Sequence, residues 1–176
     1  MKNFGSCDRL MALEIRPERP PDIAAISMLI TEAFKAAPHS SFTEARIVEG
    51  LRRAHALSLS LVAVDQGEVI GHVAASPVVI LRAQGNWYGL GPVSVRPNRQ
   101  NLGVGQRLVA TGLEQLRSLG AAGCVVLGDP AYYHRFGFTS DPALTYGGRY
   151  SPYFQRLILS GPSAQGDVAY HPAFAE

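Results

Sequence analysis

A glycine-containing loop at Gln100–Gly105 has the residue types that bind a phosphate group. It reads Gln-Asn-Leu-Gly-Val-Gly and follows a valine-containing run at Leu90–Val95. Apolar side chains at helical spacing come after it, so the loop is predicted to lie at a helix N-terminus. Such a terminus presents unpaired N–H groups and the positive end of the helix dipole, and glycine lets an anion approach closely. The loop therefore predicts a cradle for a pyrophosphate.

Two common phosphate-binding motifs fit this loop poorly. A P-loop has Lys followed by Ser or Thr after its last glycine, whereas Gln106 and Arg107 follow Gly105. A dinucleotide fingerprint would place Gly or Ala at Leu108 and an acidic residue about 20 residues later. Asp129 lies beyond the next predicted strand, which is too late for that role.

A tyrosine-containing segment follows that strand. Cys124–Leu127 is a short apolar run, and Gly128–Phe138 reads Gly-Asp-Pro-Ala-Tyr-Tyr-His-Arg-Phe-Gly-Phe. The loop and this segment together resemble the GNAT N-acetyltransferase superfamily. Gln100, Gly103 and Gly105 match its acyl-CoA motif, Gln/Arg-x-x-Gly-x-Gly/Ala, and Tyr133 matches its usual tyrosine.

Three further segments are similar to the small bacterial acetyltransferases called YhbS-like. They are Leu90–Val95, Gly128–Tyr133 and the ending Tyr170–Phe174. The resemblance implies an α/β (α+β) fold with a central mixed, mainly antiparallel sheet flanked by helices. It also implies that the fourth and fifth strands splay apart around the pantetheine arm of acetyl-CoA, the cosubstrate, and that no metal is needed.

The resemblance assigns the cofactor contacts residue by residue. Backbone groups of Val93 and Val95 would pair with pantetheine, and the glycine loop would face the pyrophosphate. The implied set is Val93, Val95, Gln100, Asn101, Leu102, Gly103, Val104, Gly105, Gln106 and Tyr133. Asn101 stands where the family often has glycine, and Asn tolerates a left-handed backbone best among the other residues. Asp129 stands where many members have a cofactor-binding Asn, so its role as a ligand is open.

Pro92 lies inside the fourth predicted strand. Proline cannot donate to a β-ladder, so the pairing of this strand is predicted to be interrupted. An ordinary edge-strand proline is the alternative.

The implied reaction is attack of an amine on a thioester carbonyl. An alkylammonium with a pKa of about 10.4 must first lose a proton. Because Pro92 has no N–H, the backbone N–H of Val93 or of a neighbouring residue of this strand is the expected oxyanion donor. Tyr133 would assist the departing thiolate. Full proton transfer from a phenol to a thiolate is uphill by roughly 2 kcal/mol, so a hydrogen bond is the expected contribution. A packed aromatic ring is the alternative for Tyr133.

The general base has no clear candidate in the sequence. The stretch Asn86–Val95 contains no Asp, Glu or His. By residue type His72 is the best titratable candidate for the base. The alternatives are that His72 is a hydrogen-bonded core residue and that ordered water relays the proton. The remaining histidines lack metal-ligand spacing and no Cys-x-x-Cys occurs, so no metal site is expected.

Several neighbouring residues have two readings. Arg99, Arg107 and Arg135 would meet the phosphates or lie solvated at the surface. Trp87 and Tyr88 would line the acceptor side or pack in the core. The acceptor is expected to be a small-molecule or peptide amine. The rival function is a non-catalytic acyl-CoA-binding sensor, which would keep the glycine loop without acceptor chemistry.

The composition predicts one globular domain over residues 12–176, after a mobile leader at residues 1–11. A net charge of +2 gives no case for nucleic acid binding. No apolar run is long enough for a membrane span, so a cytoplasmic protein is expected, and family habit alone suggests a homodimer.

The remaining patterns predict the elements that position the site. Leu13–Arg16 reads as a strand, and a helix is predicted to begin at Pro20. Ser41 and Glu44 have capping-box spacing before a second helix. The further expectations are a hairpin of Ser60–Val64 with Val69–Ile80 and a helix from Val104 that ends at Gly120.

Overall fold

The computed structural model describes residues 13–35, 37 and 40–175, so the expected leader at residues 1–11 lies outside the described residues. The strands are β1 (Glu14–Pro17), β2 (Leu59–Asp65), β3 (Glu68–Ile80), β4 (Trp87–Val95), β5 (Gly123–Leu127), β6 (Thr139–Ser140), β7 (Leu144–Tyr146), β8 (Phe154–Ile158) and β9 (Gly166–Ala169). The α-helices are α1 (Ile23–Lys35), α2 (Glu44–Arg53), α3 (Val104–Ser118) and α4 (Pro130–Tyr133). A 3-10 turn at Pro172–Ala175 follows β9.

The strands form a mixed, mainly antiparallel sheet in the order β1-β2-β3-β4-β5-β8-β6. The pair β4–β5 is parallel, whereas β1–β2, β2–β3, β3–β4, β5–β8 and β6–β8 are antiparallel. Strand β9 pairs with the end of β3 and, in parallel, with β7. This arrangement confirms the predicted fold class.

Alternating apolar side chains give the sheet two buried faces. On one face, Ile26, Leu29 and Ile30 of α1 pack with Val48 of α2 over Val62 of β2. On the other face, Val104, Leu108 and Leu116 of α3 are buried. They pack against side chains of β2 and β3 such as Leu61 and Val73. The sheet therefore lies between α1 and α2 on one side and α3 on the other. No helix among the described residues is long and apolar enough to cross a membrane.

The predicted capping box before α2 is only half formed. The Glu44 carboxylate accepts the N–H of Ser41 at 3.1 Å, but Thr43 is the N-cap residue and Glu44 begins the helix. The Ser41 hydroxyl lies 2.6 Å from the Thr43 hydroxyl instead of capping a helical N–H. The reason is a left-handed turn at Phe42, with φ of 59°, which delays the start of the helix.

Strand β4 is interrupted at Gly91 and Pro92, as the proline predicted. Val73 of β3 pairs with Val93, whereas Ala75, two residues further, pairs with Leu90. Strand β4 therefore has one extra residue at this point, which is a β-bulge. Its pairing with β5 covers only Trp87–Gly89, so the two strands part after the pair Gly89 and Val125. We call this point the fork.

Candidate active site

A groove with a volume of about 510 Å³ opens on the α3 side of the fork. Its lining comes from the end of β4, the loop before α3, the first turn of α3 and the α4 segment. The lining residues are Val93, Val95, Arg99, Gln100, Asn101, Gly103, Gly105, Gln106, Tyr132, Tyr133 and Arg135. Eight of the ten residues that the sequence assigned to the cofactor are among them. The other two point elsewhere, because Leu102 is 47% exposed and Val104 is buried in the core.

The backbone of β4 turns two of its residues toward the fork. Arg96 donates its N–H to the carbonyl of Ile70 on β3. In an antiparallel ladder, alternate residues point their N–H and C=O groups toward the same neighbour. Val93 and Val95 are an odd number of residues from Arg96, so their backbone groups point away from β3. They are therefore directed toward the space between β4 and β5.

The loop before α3 presents unpaired N–H groups to the groove. Gly103 is the N-cap residue, with φ of 82°, and no side chain caps the helix. Asn101 has φ of 59°, which is the left-handed conformation that the sequence allowed for it. The first intrahelical bond comes from Arg107 to the carbonyl of Gly103. The N–H groups of the first turn are therefore available to an anion.

Gln100 holds the loop against the end of β4. Its side-chain amide donates to the Val95 carbonyl at 3.1 Å. A carbonyl oxygen has two lone pairs, so the Val95 oxygen can still accept a second hydrogen bond. Gln100 thus positions the loop in addition to lining the groove.

Of the three arginines that the sequence suggested for the phosphates, Arg99 and Arg135 line the groove. Arg99 lines it and pairs with the buried carboxylate of Asp65 at 2.5 Å. Arg135 lines it too, and its guanidinium lies 4.7 Å from the centroid of the Tyr132 ring. Arg107 is not a lining residue and donates to the carbonyl of Leu13. Arg135 therefore adds positive charge on the side where the helix N–H groups already favour an anion, whereas Asp65 offsets the charge of Arg99.

Helix α4 brings two tyrosines back toward the fork. The Asp129 carboxylate accepts the N–H of Ala131 at 2.9 Å, and Pro130 opens the helix. Asp129 therefore serves as an N-cap residue. Its position in the sequence did not distinguish this role from that of a cofactor ligand. The ring of Tyr133 packs edge-on against Tyr132, with ring centroids 5.0 Å apart.

The Tyr133 phenol lines the groove in its protonated form. It makes no hydrogen bond with any residue that the structure describes, although its ring is in the core beside the groove. Burial raises the pKa of Tyr133 above that of a free phenol, and the neighbouring Tyr132 and Cys124 act in the same direction. The phenol therefore stays protonated and has a hydrogen to offer.

The structure places His72 away from the groove. It lies on β3, on the side covered by α1 and α2, with 0% of its surface exposed. Its Nε2 lies 2.8 Å from the Ser60 hydroxyl, which donates to the carboxylate of Glu18. Glu18 in turn pairs with Arg52 at 2.8 Å. Because the Ser60 hydrogen points to Glu18, the His72 Nε2 must be the donor in its bond to Ser60.

These surroundings argue against His72 as a base in direct contact with an amine. Burial lowers the pKa of His72 to about 4, the charge of Arg52 adds to this, and Glu18 only partly opposes it. A group with that pKa rests in the neutral form at physiological pH and holds a proton weakly. The environment matches the alternative prediction of a hydrogen-bonded core histidine.

Trp87 is buried, and Tyr88 is partly buried. Trp87 is 3% exposed, and its indole N–H donates to the carbonyl of Gln84. Tyr88 packs against the core on the α3 side. Among the described residues, no cluster of three or more His, Cys, Asp or Glu side chains has the arrangement to hold a metal ion.

Tyr132 was missed by reasoning from the sequence. It lines the groove, and its hydroxyl lies over the backbone of Gly105. The adjacent pair Tyr132-Tyr133 was visible, but only one of the two matches the family's tyrosine. The contact with Gly105 depends on how α4 folds back, which the sequence pattern does not give.

Comparison with known proteins identifies the family to which the chain belongs. The model of the acetyltransferase (GNAT) family matches residues 22–138. The Escherichia coli K12 protein described as uncharacterized N-acetyltransferase YhbS is 42% identical over 125 residues, which are 70% of this chain and 72% of YhbS.

Two solved structures are similar over nearly the whole chain. A GNAT family acetyltransferase from Brucella melitensis, in complex with acetyl-CoA, is 50% identical, with a TM-score of 0.81 over 92% of this chain and 97% of that one. YhbS from Escherichia coli, in complex with CoA, is 35% identical, with a TM-score of 0.83 over 94% of this chain and 93% of that one.

Proposed function

Because the chain belongs to the GNAT acetyltransferase family, we propose that it transfers the acetyl group of acetyl-CoA to a primary amine by direct attack in a ternary complex. The observation that carries this proposal is the groove, in which a parted strand pair adjoins an uncapped helix N-terminus. Relatives that are 50% and 35% identical have structures with acetyl-CoA and with CoA, which supports the donor.

The residues of the groove fit the two halves of this donor. The first-turn N–H groups of α3, together with Arg135, suit the pyrophosphate, and Arg99 lines the same groove while paired with Asp65. The backbone groups of Val93 and Val95 suit the amide-containing pantetheine arm, which would add to β4 in the manner of a strand. The thioester then lies toward the fork.

The chain would contribute two groups to the acyl transfer. The backbone N–H of Val93 stabilises the negative charge on the thioester oxygen after the amine attacks. Tyr133 donates a hydrogen bond to the sulfur as the carbon–sulfur bond breaks and negative charge builds there. Its raised pKa favours this role over full ionisation.

The amine must arrive with a free lone pair. Among the described residues that line the groove there is no Asp, Glu or His, and His72, on the opposite face of the sheet, is fully buried. We therefore assign the first deprotonation to solvent, so that the enzyme binds the small neutral fraction of the amine. The second proton leaves the attacking nitrogen as the amide forms, and the thiolate takes up a proton.

The first experiment is calorimetric titration with acetyl-CoA, with NAD and ATP as controls. Selective micromolar binding of acetyl-CoA supports the donor assignment. Thiol release from acetyl-CoA in the presence of a panel of amines then separates an enzyme from the acyl-CoA sensor. Folded protein that does not bind acetyl-CoA would overturn the proposal. Tight binding without transfer to any amine would favour the sensor.

A further inference from the structure

The C-terminal segment Tyr170–Phe174 takes no part in the groove, yet it is anchored on both sides. Just before it, Ala169 of β9 pairs with Val79 of β3. At its end, Phe174 and Ala173 pack against the α2 cluster that contains Ile47 and Leu51. Tyr170 is therefore held between two fixed elements, on the sheet side covered by α1 and α2.

The ring of Tyr170 rests on β4 at the fork. A Cβ atom built on Gly89 would lie 2.5 Å from Cε1 of Tyr170, a distance that real Cβ contacts do not show. Gly89 is the last residue of β4 that pairs with β5, opposite Val125. Only glycine leaves the ring room at this position.

Tyr170 and Tyr133 approach the fork from opposite faces of the sheet. Tyr133 packs with the cluster beneath α3, which includes Cys124 and Val126 of β5. Tyr170 packs with the other cluster, which includes Val125. The donor groove is on the α3 side, so a bound donor fills that side. An acceptor that forms a ternary complex must then reach the fork from the side of Tyr170.

The Tyr170 hydroxyl is free to meet a ligand. It makes no hydrogen bond with any described residue and is not among the fully buried polar atoms. Its ring contacts are Tyr146, at 5.3 Å between centroids, and Phe174, at 4.8 Å. Burial raises the pKa of Tyr170, and the nearby titratable groups Cys124, Tyr146 and Tyr133 act in the same direction. The phenol is thus neutral.

We propose that Tyr170 is a second tyrosine of the reaction centre, on the acceptor side, whose hydroxyl oxygen accepts a hydrogen bond from the attacking amine. This role rests on the proposed function. A phenol oxygen has lone pairs for an amine N–H, which leaves the lone pair of the amine to face the thioester carbon.

The test compares Tyr170→Phe with the wild type and with Tyr150→Phe. Phe keeps the ring contacts and removes only the hydroxyl. Tyr150→Phe is the matched control, because this side chain is 49% exposed and lies outside the groove. The probes are phenethylamine, butylamine and a short peptide with a free N-terminus, with CoA thiol release as the readout and acetyl-CoA affinity measured separately.

We expect Tyr170→Phe to lower kcat/KM for the amine by about tenfold, the effect of one lost hydrogen bond, with acetyl-CoA affinity unchanged. Tyr150→Phe should match the wild type. Equal kcat/KM for Tyr170→Phe and the wild type would overturn the role of Tyr170 and leave the proposed function standing. A wild type that acetylates none of the amines would overturn both.

A second variant tests the contact with β4. Gly89→Ala should push the ring away from the fork and lower kcat/KM as Tyr170→Phe does, provided that thermal melting shows a folded protein. The double variant should then lose little more than either single variant, because both act through one hydroxyl. Losses that simply multiply would contradict the proposed role.

Discussion

The ring of Tyr133 lies against the backbone of Gly128, where a built Cβ atom would be 2.4 Å from Cε2 of the ring. Gly128 follows β5 directly, and Tyr133 ends α4, so this contact sets where the phenol lies relative to the fork. Any side chain at residue 128 must displace the ring.

Gly128→Ala is therefore expected to lower turnover at least tenfold while acetyl-CoA still binds, because a displaced donor no longer reaches the sulfur. Steady-state kinetics and calorimetry measure the two quantities. Gly112→Ala on α3 is the matched control: its Cβ would meet Leu59 at an ordinary 3.5 Å. Equal turnover of the Gly128 and Gly112 variants would show that the position of Tyr133 does not matter.

Tyr133→Phe removes the hydroxyl and keeps the ring. We expect kcat to fall by about tenfold to a hundredfold with acetyl-CoA affinity nearly unchanged, since the hydrogen bond forms as the thiolate develops. The wild type should show no loss of kcat up to pH 10 through ionisation of this residue, because burial raises the pKa of Tyr133 above its ordinary value. Unchanged kcat in the variant would leave Tyr133 as a packing residue.

Gly103→Ala tests the anion cradle. At φ of 82°, a Cβ atom strains the backbone and costs about 1 kcal/mol of stability. We expect this stability loss together with weaker binding of acetyl-CoA, because the strained loop shifts the helix N–H groups.

The control for this variant is Gly120→Ala. Gly120 has φ of 75°, with open space around its Cβ position, and lies after the far end of α3. It should lose similar stability in thermal melting while its acetyl-CoA affinity stays at the wild-type value. If both variants bind acetyl-CoA as the wild type does, the loop does not hold the pyrophosphate.

The groove was predictable because its signals are local. Proline at residue 92 interrupts the pairing of β4, and glycine at residue 103 allows the left-handed conformation at the N-cap of α3. The contacts of Tyr132 and Tyr170 depend on segments that return from far along the chain, so no spacing revealed them.

His72 also shows that a residue's role depends on contacts that its sequence position does not reveal. Its residue type suggested a base, but its burial follows from helices α1 and α2 and from Glu18, which is 54 residues earlier in the chain. The predicted capping box formed only in part for a similar reason, since the left-handed turn at Phe42 moved the helix start. The sequence shows which residue types occur and how far apart they are, whereas the burial and the partners of a side chain depend on how distant segments pack.

Burial of neutral His72 makes the stability of the fold depend on pH. The pKa is about 6.5 in the unfolded chain and about 4 in the folded protein, so the unfolded chain binds the proton more tightly. The contribution is fully present above pH 6.5 and is lost as the pH falls toward 4. It amounts to about 3 kcal/mol in the free energy of unfolding.

Chemical denaturation at intervals from pH 7.5 to 4.5 measures this dependence. His72→Gln should flatten the slope between pH 6.5 and 4.5, even if it lowers stability at every pH. Burial opposes the shift, but the hydrogen bonds from Arg52 and Ser60 hold the pKa of Glu18 below its ordinary value. The contribution of Glu18 is therefore lost mainly below about pH 4.3, outside the window that is measured. A His72→Gln slope as steep as that of the wild type would assign the dependence to other groups.

Deprotonation of the amine in solvent has a kinetic consequence. If only the neutral amine binds, kcat/KM rises tenfold for each pH unit until the pH reaches the pKa of the amine, about 10.4 for an alkylamine. Repeating the profile with an amine of lower pKa should move the plateau down to that value, because the plateau belongs to the substrate. A plateau that stays at one pH for both amines would instead reveal a base on the enzyme, and His72→Gln would then test whether the buried imidazole is that base.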